Sequence, residues 1–239
     1  MKLFTLTFLF VAIMNTTYSL ATSKNEESPL YYLVREPKIQ TDPPPLILLL
    51  HGVGSNEKDL FSFASQLPDR FLVISARAPL SVGKDSYAWY QLDFANGKPV
   101  INHEQEEASK TFIIQFISYL KKIYSFDIQQ VYLCGFSQGA IMSYAVGLTH
   151  PELIQGIAAM SGRILDEVKP LTASNEKLKH LSIFISHGTD DGVLTVQYAH
   201  EAAVFLKLLN LNPFYHEYPA GHTITGQMFR DLVNWLNTK

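Results

Sequence analysis

Residues 131–142, with the sequence VYLCGFSQGAIM, decide the fold. They form a short β-rich apolar run, then the pattern Gly-x-Ser-x-Gly, then a run with helical character. A serine that presents its hydroxyl from a tight strand-to-helix turn sits in a strained backbone, and its neighbours must be small because other chain passes close by. Gly135 and Gly139 meet that need. The segment therefore predicts a strand, a sharp turn and a helix that begins beside a nucleophilic Ser137.

The chain around this segment alternates between short β-rich runs and longer stretches of helical periodicity. Several of the β-rich runs are continuously apolar, which is typical of strands covered on both faces. The clearest helix pattern begins at a cap on Asn102 and ends near Lys121, and two more helices are expected after Thr195 and near the C-terminus. The pattern predicts an α/β fold with a mostly parallel sheet and helices on both faces. The predicted strands are 31–34, 46–50, 71–75, 131–134, 157–160, 183–186 and 214–218.

Composition limits the other function classes. The chain has 239 residues, 47% of them hydrophobic and 17% charged, and no segment reads as a linker, so we expect a single domain over residues 22–239. The chain has 19 Lys and Arg against 22 Asp and Glu, so it lacks the excess of positive charge that attracts phosphate groups. Nucleic acid is therefore not expected as a partner. The single cysteine, Cys134, excludes an internal disulfide and a Cys-x-x-Cys zinc site.

The first 21 residues have the pattern of a secretory signal peptide. Lys2 precedes an apolar run of about a dozen residues, which is too short to span a bilayer. Ser19 and Ala21 place small side chains at the −3 and −1 positions of a cleavage site. The sequence therefore predicts a secreted or periplasmic protein without a stable membrane anchor. An uncleaved N-terminal anchor or a mispredicted start is the alternative interpretation.

A serine hydroxyl needs a base to remove its proton and an acid to orient that base. In the strand-turn-helix arrangement the chain order is serine, acid, histidine, so the base is sought after Ser137. His222 is favoured because it follows the last predicted strand, in a loop where an imidazole can reach the nucleophile. The other five histidines of this region are read as cap, helix, strand or packing residues: His150, His180, His187, His200 and His216.

The acid is expected in the loop after the predicted strand 183–186. Asp190 and Asp191 both lie there. One of them would accept a hydrogen bond from the far nitrogen of His222, and the other would structure the turn. The residues by themselves leave both candidates open.

The tetrahedral intermediate of acyl transfer needs N–H donors for its oxyanion. The first candidate is the main-chain N–H of Gln138, directly after the nucleophile. The second is that of Val53, in the glycine-rich turn 51–54 after the predicted strand 46–50. A phosphate-binding loop is the alternative interpretation of this turn, but it lacks both the Gly-Lys-Ser/Thr ending and the Gly-x-Gly-x-x-Gly pattern.

Four short motifs, in this order and at these intervals, resemble the phospholipase/carboxylesterase family of small α/β-hydrolases, relatives of acyl-protein thioesterases. The motifs are LHGVG at 50–54, GFSQG at 135–139, HGTDD at 187–191 and GH at 221–222. The resemblance implies an α/β-hydrolase fold with a minimal lid. In the family, the acid stands three residues after the glycine of the His-Gly element, which favours Asp191 over Asp190. Carried over, the resemblance implies a triad of Ser137, Asp191 and His222, with oxyanion donors at Val53 and Gln138.

The resemblance extends to residues 88–93, which are similar to the family's aromatic stretch beside the substrate cleft. It implies that Trp89 lines the acyl pocket, with plain packing in the core as the alternative. Residues 192–195 depart from the family, which often has proline after the acid, and the signal sequence departs from the cytosolic thioesterases.

The sequence thus predicts a serine hydrolase that cleaves carboxylic esters of short to medium acyl chains through an acyl-enzyme, without a metal or cofactor. Lysophospholipids, acyl-carbohydrates and thioesters stay open as substrates, and the sequence does not specify an oligomeric state. A non-catalytic binder of a small apolar ligand on the same fold is the alternative from another class. Dienelactone-hydrolase-like chemistry would need a cysteine nucleophile, and Cys134 lies three residues too early.

Overall fold

The computed structural model describes residues 28–39, 41–95 and 98–239. The predicted signal peptide lies outside these residues. The strands are β1 (Tyr32–Arg35), β2 (Leu46–Leu50), β3 (Leu72–Ala76), β4 (Leu80–Gly83), β5 (Ser86–Ala88), β6 (Leu92–Ala95), β7 (Lys98–Ile101), β8 (Val131–Phe136), β9 (Gly156–Met160), β10 (Ser182–Gly188) and β11 (Phe214–Tyr218). The α-helices are α1 (Glu57–Phe61), α2 (His103–Ile123), α3 (Gln138–Thr149), α4 (Asn175–Leu178), α5 (Gln197–Leu208) and α6 (Gly226–Asn237).

Seven strands form the central sheet, in the order β1-β3-β2-β8-β9-β10-β11. Five of the six neighbouring pairs are parallel, and only β1 runs antiparallel to its neighbour β3. The mostly parallel sheet predicted from the sequence is therefore confirmed. The predicted strands 46–50 and 214–218 coincide with β2 and β11, whereas β8 and β10 each continue two residues further than predicted.

Both faces of the sheet are buried under helices. Along β2, Leu46, Leu48 and Leu50 belong to one apolar core, while Ile47 and Leu49 belong to a second. The first core includes residues of α2, α3 and α5, and the second includes residues of α1 and α6. This division follows from the two-residue period of a strand, which sends alternate side chains to opposite faces.

The helix α2 begins where the sequence predicted. The side chain of Asn102 accepts a hydrogen bond of 3.1 Å from the N–H of Gln105, and Lys121 lies in the last turn.

In the middle of the sheet, Cys134 on β8 is fully buried, as expected for an apolar strand residue.

Two hairpins, β4–β5 and β6–β7, lie between β3 and α2 and were not predicted. Their strands have three or four residues, too few to show a clear period in the sequence. The first hairpin reaches the glycine-rich turn after β2, because Ser55 and Tyr87 form an isolated β-bridge.

The loops after β2, β8, β10 and β11 all leave the carboxyl edge of the sheet. In open α/β sheets this edge is where ligands bind. The four loops carry every residue predicted for the triad and the oxyanion donors.

Candidate active site

Ser137 occupies the sharp turn between β8 and α3. Its backbone has φ 53° and ψ −118°, a conformation that residues with a side chain rarely adopt. A Cβ atom on Gly135 would lie 2.2 Å from the carbonyl oxygen of Gly139, and one on Gly139 would lie 1.9 Å from that of Leu50. Small flanking residues were inferred from the sequence to be necessary. The structure gives the reason, because other backbone atoms contact both glycines directly.

Ser137, His222 and Asp191 are joined by hydrogen bonds. His222 Nε2 lies 2.9 Å from Ser137 Oγ, and His222 Nδ1 lies 2.7 Å from Asp191 Oδ2. A carboxylate can only accept, so the Nδ1–H donates to Asp191 and leaves the Nε2 lone pair facing the serine hydroxyl. The structure thus brings together three residues that are separated by 54 and 31 positions in the sequence, in an arrangement that can withdraw the proton of Ser137.

The structure separates the two candidate acids. Asp191 is buried, and its second oxygen accepts hydrogen bonds from the main-chain N–H groups of Val193, at 2.9 Å, and Leu194, at 2.8 Å. Asp190 is exposed, and the polar side-chain atom near it is the hydroxyl of Thr189, at 3.5 Å. Asp191 is therefore the carboxylate that faces His222 within the described part of the chain.

His187, at the end of β10, lies behind Asp191. Its Nε2 is 2.6 Å from the carbonyl oxygen of Leu194, so this nitrogen carries the proton and donates it. Burial lowers the pKa of His187, which keeps the ring neutral. The same nitrogen lies 3.3 Å from Asp191 Oδ2, so His187 contacts both the acid and a later residue of the loop that holds it.

The remaining histidines after the nucleophile have partners elsewhere. His180 Nε2 lies within 3.1 Å of two carbonyl oxygens, and His200 Nε2 lies 2.8 Å from Glu217 Oε1. His150 ends α3, and His216 lies on β11. None of these contacts includes Ser137.

The glycine-rich turn after β2 lies against the nucleophile. A Cβ atom on Gly52 would lie 3.3 Å from the Cβ of Ser137. The next residue, Val53, is 46% exposed, and its main-chain N–H donates to no other residue of the described ranges. Gln138 is the first residue of α3, a position whose N–H has no acceptor within the helix. Both N–H groups predicted to hold an oxyanion are thus available beside Ser137.

Trp89 does not present a surface to this site. Its side chain is fully buried, and its indole Nε1–H donates a hydrogen bond of 2.9 Å to the carbonyl oxygen of His51. The expectation that Trp89 lines an acyl pocket is corrected accordingly, because a ring with no exposed surface packs behind the site. Its hydrogen bond to His51 supports the glycine-rich turn from the interior of the protein.

His51 was not singled out from the sequence, although it belongs to the LHGVG motif. Its Nδ1 lies 2.7 Å from the carbonyl oxygen of Gly52, and its Nε2 accepts a hydrogen bond of 3.0 Å from the N–H of Ala78. Burial lowers the pKa of His51, so the neutral ring can donate on one side and accept on the other. This ring fixes the start of the turn that carries Val53.

Within the described residues, no group of three or more His, Cys, Asp or Glu side chains is arranged to hold a metal ion. No helix in the same ranges is long and apolar enough to cross a membrane.

Comparison with known proteins assigns the sequence to a family. The sequence profile described as Phospholipase/Carboxylesterase matches residues 34–239. The chain belongs to the phospholipase/carboxylesterase family. This family consists of esterase-type serine hydrolases, and the resemblance seen in the four motifs is confirmed over most of the chain.

Relatives within the phospholipase/carboxylesterase family are distant in sequence but cover most of the chain. The chain is 26% identical to the carboxylesterase SOBER1 of Arabidopsis thaliana, over 81% of this chain and 90% of the relative. It is 27% identical to acyl-protein thioesterase 1 of Mycosarcoma maydis, over 87% and 97%. The structure of the Bacillus cereus carboxylesterase superposes with a TM-score of 0.75 at 23% identity, covering 89% of this chain and 96% of that one, and shows the shared α/β-hydrolase fold.

Proposed function

We propose that the protein hydrolyses carboxylic esters of short to medium acyl chains through an acyl-enzyme on Ser137. The observation that carries this proposal is the chain of hydrogen bonds from Asp191 through His222 to Ser137. Membership of the phospholipase/carboxylesterase family supports it.

In the acylation half-reaction, Ser137 Oγ attacks the ester carbonyl carbon while His222 Nε2 takes the hydroxyl proton. The imidazolium that forms is stabilised by the Asp191 carboxylate, 2.7 Å from Nδ1. The oxyanion of the tetrahedral intermediate is held by the N–H groups of Val53 and Gln138. Collapse of this intermediate breaks the ester C–O bond, and His222 returns its proton to the departing alkoxide.

In the deacylation half-reaction, a water molecule takes the place of the alcohol. His222 removes one proton from this water as its oxygen attacks the acyl-enzyme. The second tetrahedral intermediate collapses to the free acid and Ser137 Oγ, which regains the proton from His222. Thioesters and lysophospholipids present the same acyl carbonyl, so these steps apply to them with a different leaving group.

The experiment is a series of p-nitrophenyl esters from acetate to palmitate, with EDTA in the buffer, on the wild type and on Ser137→Ala. We expect hydrolysis by the wild type with an optimum among the shorter chains, and loss of about 10⁴-fold or more in kcat for the variant. Equal rates for the two proteins would refute the role of Ser137.

A fluorophosphonate probe distinguishes a non-catalytic binder from an esterase that acts on substrates unlike the p-nitrophenyl esters. Labelling of Ser137 without ester turnover would indicate an activated serine whose substrate these esters do not imitate. Absence of both turnover and labelling would favour the non-catalytic binder.

We also infer that the enzyme acts after export. The basis of this inference is the signal-peptide pattern of residues 1–21. N-terminal sequencing of the protein recovered from the medium or periplasm tests this inference. A chain that begins near Thr22 would support it, and recovery of the intact N-terminus in the cytoplasm would contradict it.

A further inference from the structure

Arg163 lies on the same edge of the sheet as the nucleophile. The N–H of Ser137 donates a hydrogen bond of 2.9 Å to the carbonyl oxygen of Met160, the last residue of β9. Arg163 follows only three residues later, a span of at most about 11 Å. Neither its position nor its charge is explained by the roles assigned so far.

The backbone between Met160 and Arg163 is held tightly against the nucleophile's helix. Ser161 has φ 49°, in the left-handed region, and its N–H donates to the carbonyl oxygen of Ser186 at 2.8 Å. A Cβ atom on Gly162 would lie 2.5 Å from the Cβ of Ala140, in the first turn of α3. The backbone that leads to Arg163 is therefore fixed close to Ser137.

The guanidinium group of Arg163 packs on an aromatic ring and forms no ion pair or hydrogen bond with an acidic side chain of the described residues. Its central carbon lies 5.1 Å from the centre of the Tyr198 ring, at the start of α5. Its Nε is buried and makes no hydrogen bond within the described part of the chain. A buried donor without an acceptor is costly, so this guanidinium group has unused hydrogen-bonding capacity for a ligand.

The two acidic residues that follow Arg163 in the sequence form ion pairs with other cations, although the charge of Arg163 also helps to lower the pKa of Asp166. Asp166 Oδ1 lies 2.6 Å from Lys169 Nζ, and Glu167 Oε1 lies 3.3 Å from His103 Nε2. The charge of Arg163 is also felt at Tyr90, where it opposes the rise in the pKa that burial causes. Tyr90 accepts a hydrogen bond of 2.7 Å from the Gln138 side chain through its carbonyl oxygen, which links the surroundings of Arg163 to the proposed oxyanion site.

A half-buried guanidinium group without a hydrogen-bond partner among the described residues, on a segment that packs against the nucleophile's helix, is suited to a planar anion, because its N–H groups match a carboxylate in a two-pronged hydrogen bond. We propose that Arg163 is a specificity-determining residue that binds a carboxylate group on the ester substrate. The enzyme then prefers esters that carry a second, ionised carboxyl group over neutral esters of the same length. This inference rests on the proposed esterase function.

The test compares anionic and neutral esters in matched pairs. For a carboxylate on the acyl part, the pair is mono-p-nitrophenyl adipate and p-nitrophenyl hexanoate. For a carboxylate on the alcohol part, the pair is 4-acetoxybenzoate and its methyl ester. The measured quantity is the ratio of the kcat/KM values for the anionic and the neutral member, in the wild type, Arg163→Gln, Arg163→Lys and Lys121→Gln.

We expect the ratio to fall about tenfold in Arg163→Gln for at least one pair, and the affected pair shows which part of the substrate carries the carboxylate. Arg163→Lys should keep part of the preference, because it retains the charge but not the planar fork. Lys121→Gln removes an equal charge from the end of α2 and should leave the ratio unchanged. A ratio that is the same in the wild type and Arg163→Gln for both pairs would overturn the proposal.

A binding measurement keeps this inference distinct from the proposed function. Free adipate should raise the thermal midpoint of the wild type more than that of Arg163→Gln or Arg163→Lys, because a ligand stabilises the state that binds it. Failure of the wild type to hydrolyse p-nitrophenyl hexanoate would count against the esterase, whereas an equal response of all variants to adipate would count against the role of Arg163. If Arg163→Gln does not fold, Arg163→Lys supplies both comparisons.

Discussion

The main-chain N–H of Trp89 donates a hydrogen bond of 2.8 Å to the side-chain oxygen of Gln138. The indole of the same tryptophan donates to the carbonyl oxygen of His51, at the start of the glycine-rich turn. One buried residue therefore fixes the relative position of the two segments whose N–H groups are proposed to hold the oxyanion.

Trp89→Phe removes the hydrogen bond to His51 and leaves the main-chain bond to Gln138 in place. We expect kcat to fall about tenfold with a smaller change in KM, because the donors act mainly in the transition state. Steady-state kinetics on a p-nitrophenyl ester measure the split. Trp235→Phe is the matched control, since Trp235 is buried in the core on the other face of the sheet. An equal loss of kcat in both variants would show that the effect is not specific to the turn.

Asp191→Asn should lower kcat about 10³-fold or more, because an amide holds the His222 ring in the wrong tautomer. Asp190→Asn should stay within about twofold of the wild type, since its side chain is exposed and has no contact with His222. Parallel kcat measurements on the two variants test the assignment. A larger loss in Asp190→Asn would reverse the identity of the acid.

Glu106 gives the protein a stability that depends on pH. Burial raises the pKa of Glu106 from 4.5 to about 7 in the folded chain. Between these values the folded state holds a proton that the unfolded state has lost, so the free energy of unfolding falls as pH rises and levels off above about pH 7.

Glu106→Gln should remove this dependence. We expect the variant to match the wild type near pH 4 and to be about 2 kcal/mol more stable at pH 8, measured by urea unfolding. Glu107→Gln is the control, because Glu107 is half-exposed. Parallel stability curves for the wild type and Glu106→Gln across this range would contradict the assignment.

Glu57, the first residue of α1, forms a buried ion pair with Arg77. Both of its carboxylate oxygens accept hydrogen bonds from Arg77, at 2.6 and 2.8 Å, and Glu57 is fully buried. Arg77→Met should lower the free energy of unfolding by about 3 kcal/mol, because it leaves a buried carboxylate without its partner. The double variant Glu57→Gln/Arg77→Met should recover part of this loss in urea unfolding. A double variant that loses the sum of both single effects would show that the two groups are not coupled.

Features that depend on local periodicity could be predicted from the sequence. The strand Leu46–Leu50 and the cap of α2 at Asn102 follow from apolar runs and capping chemistry, and both were predicted at their observed positions. The elbow at Ser137 was also predictable, because its glycines are required by backbone contacts between neighbours in the fold.

Features that depend on which surface a side chain faces could not be predicted in the same way. The residues left Asp190 and Asp191 equal, and only the path of the loop after β10 shows which one turns inward. Trp89 sits in an aromatic stretch whose sequence does not distinguish a pocket wall from its support. Arg163 carried no motif, and only the structure shows that the acids at 166 and 167 pair with other cations and that no acidic side chain of the described residues forms an ion pair with it.

The single thiol of the chain is an internal reporter of unfolding. Cys134 lies at the centre of β8, with no exposed surface, and burial raises its pKa to about 12. A thiol reagent can therefore modify it only when the central strand separates from its neighbours. The dependence of the modification rate on reagent concentration then distinguishes how often the core opens from how long it stays open, without any added label.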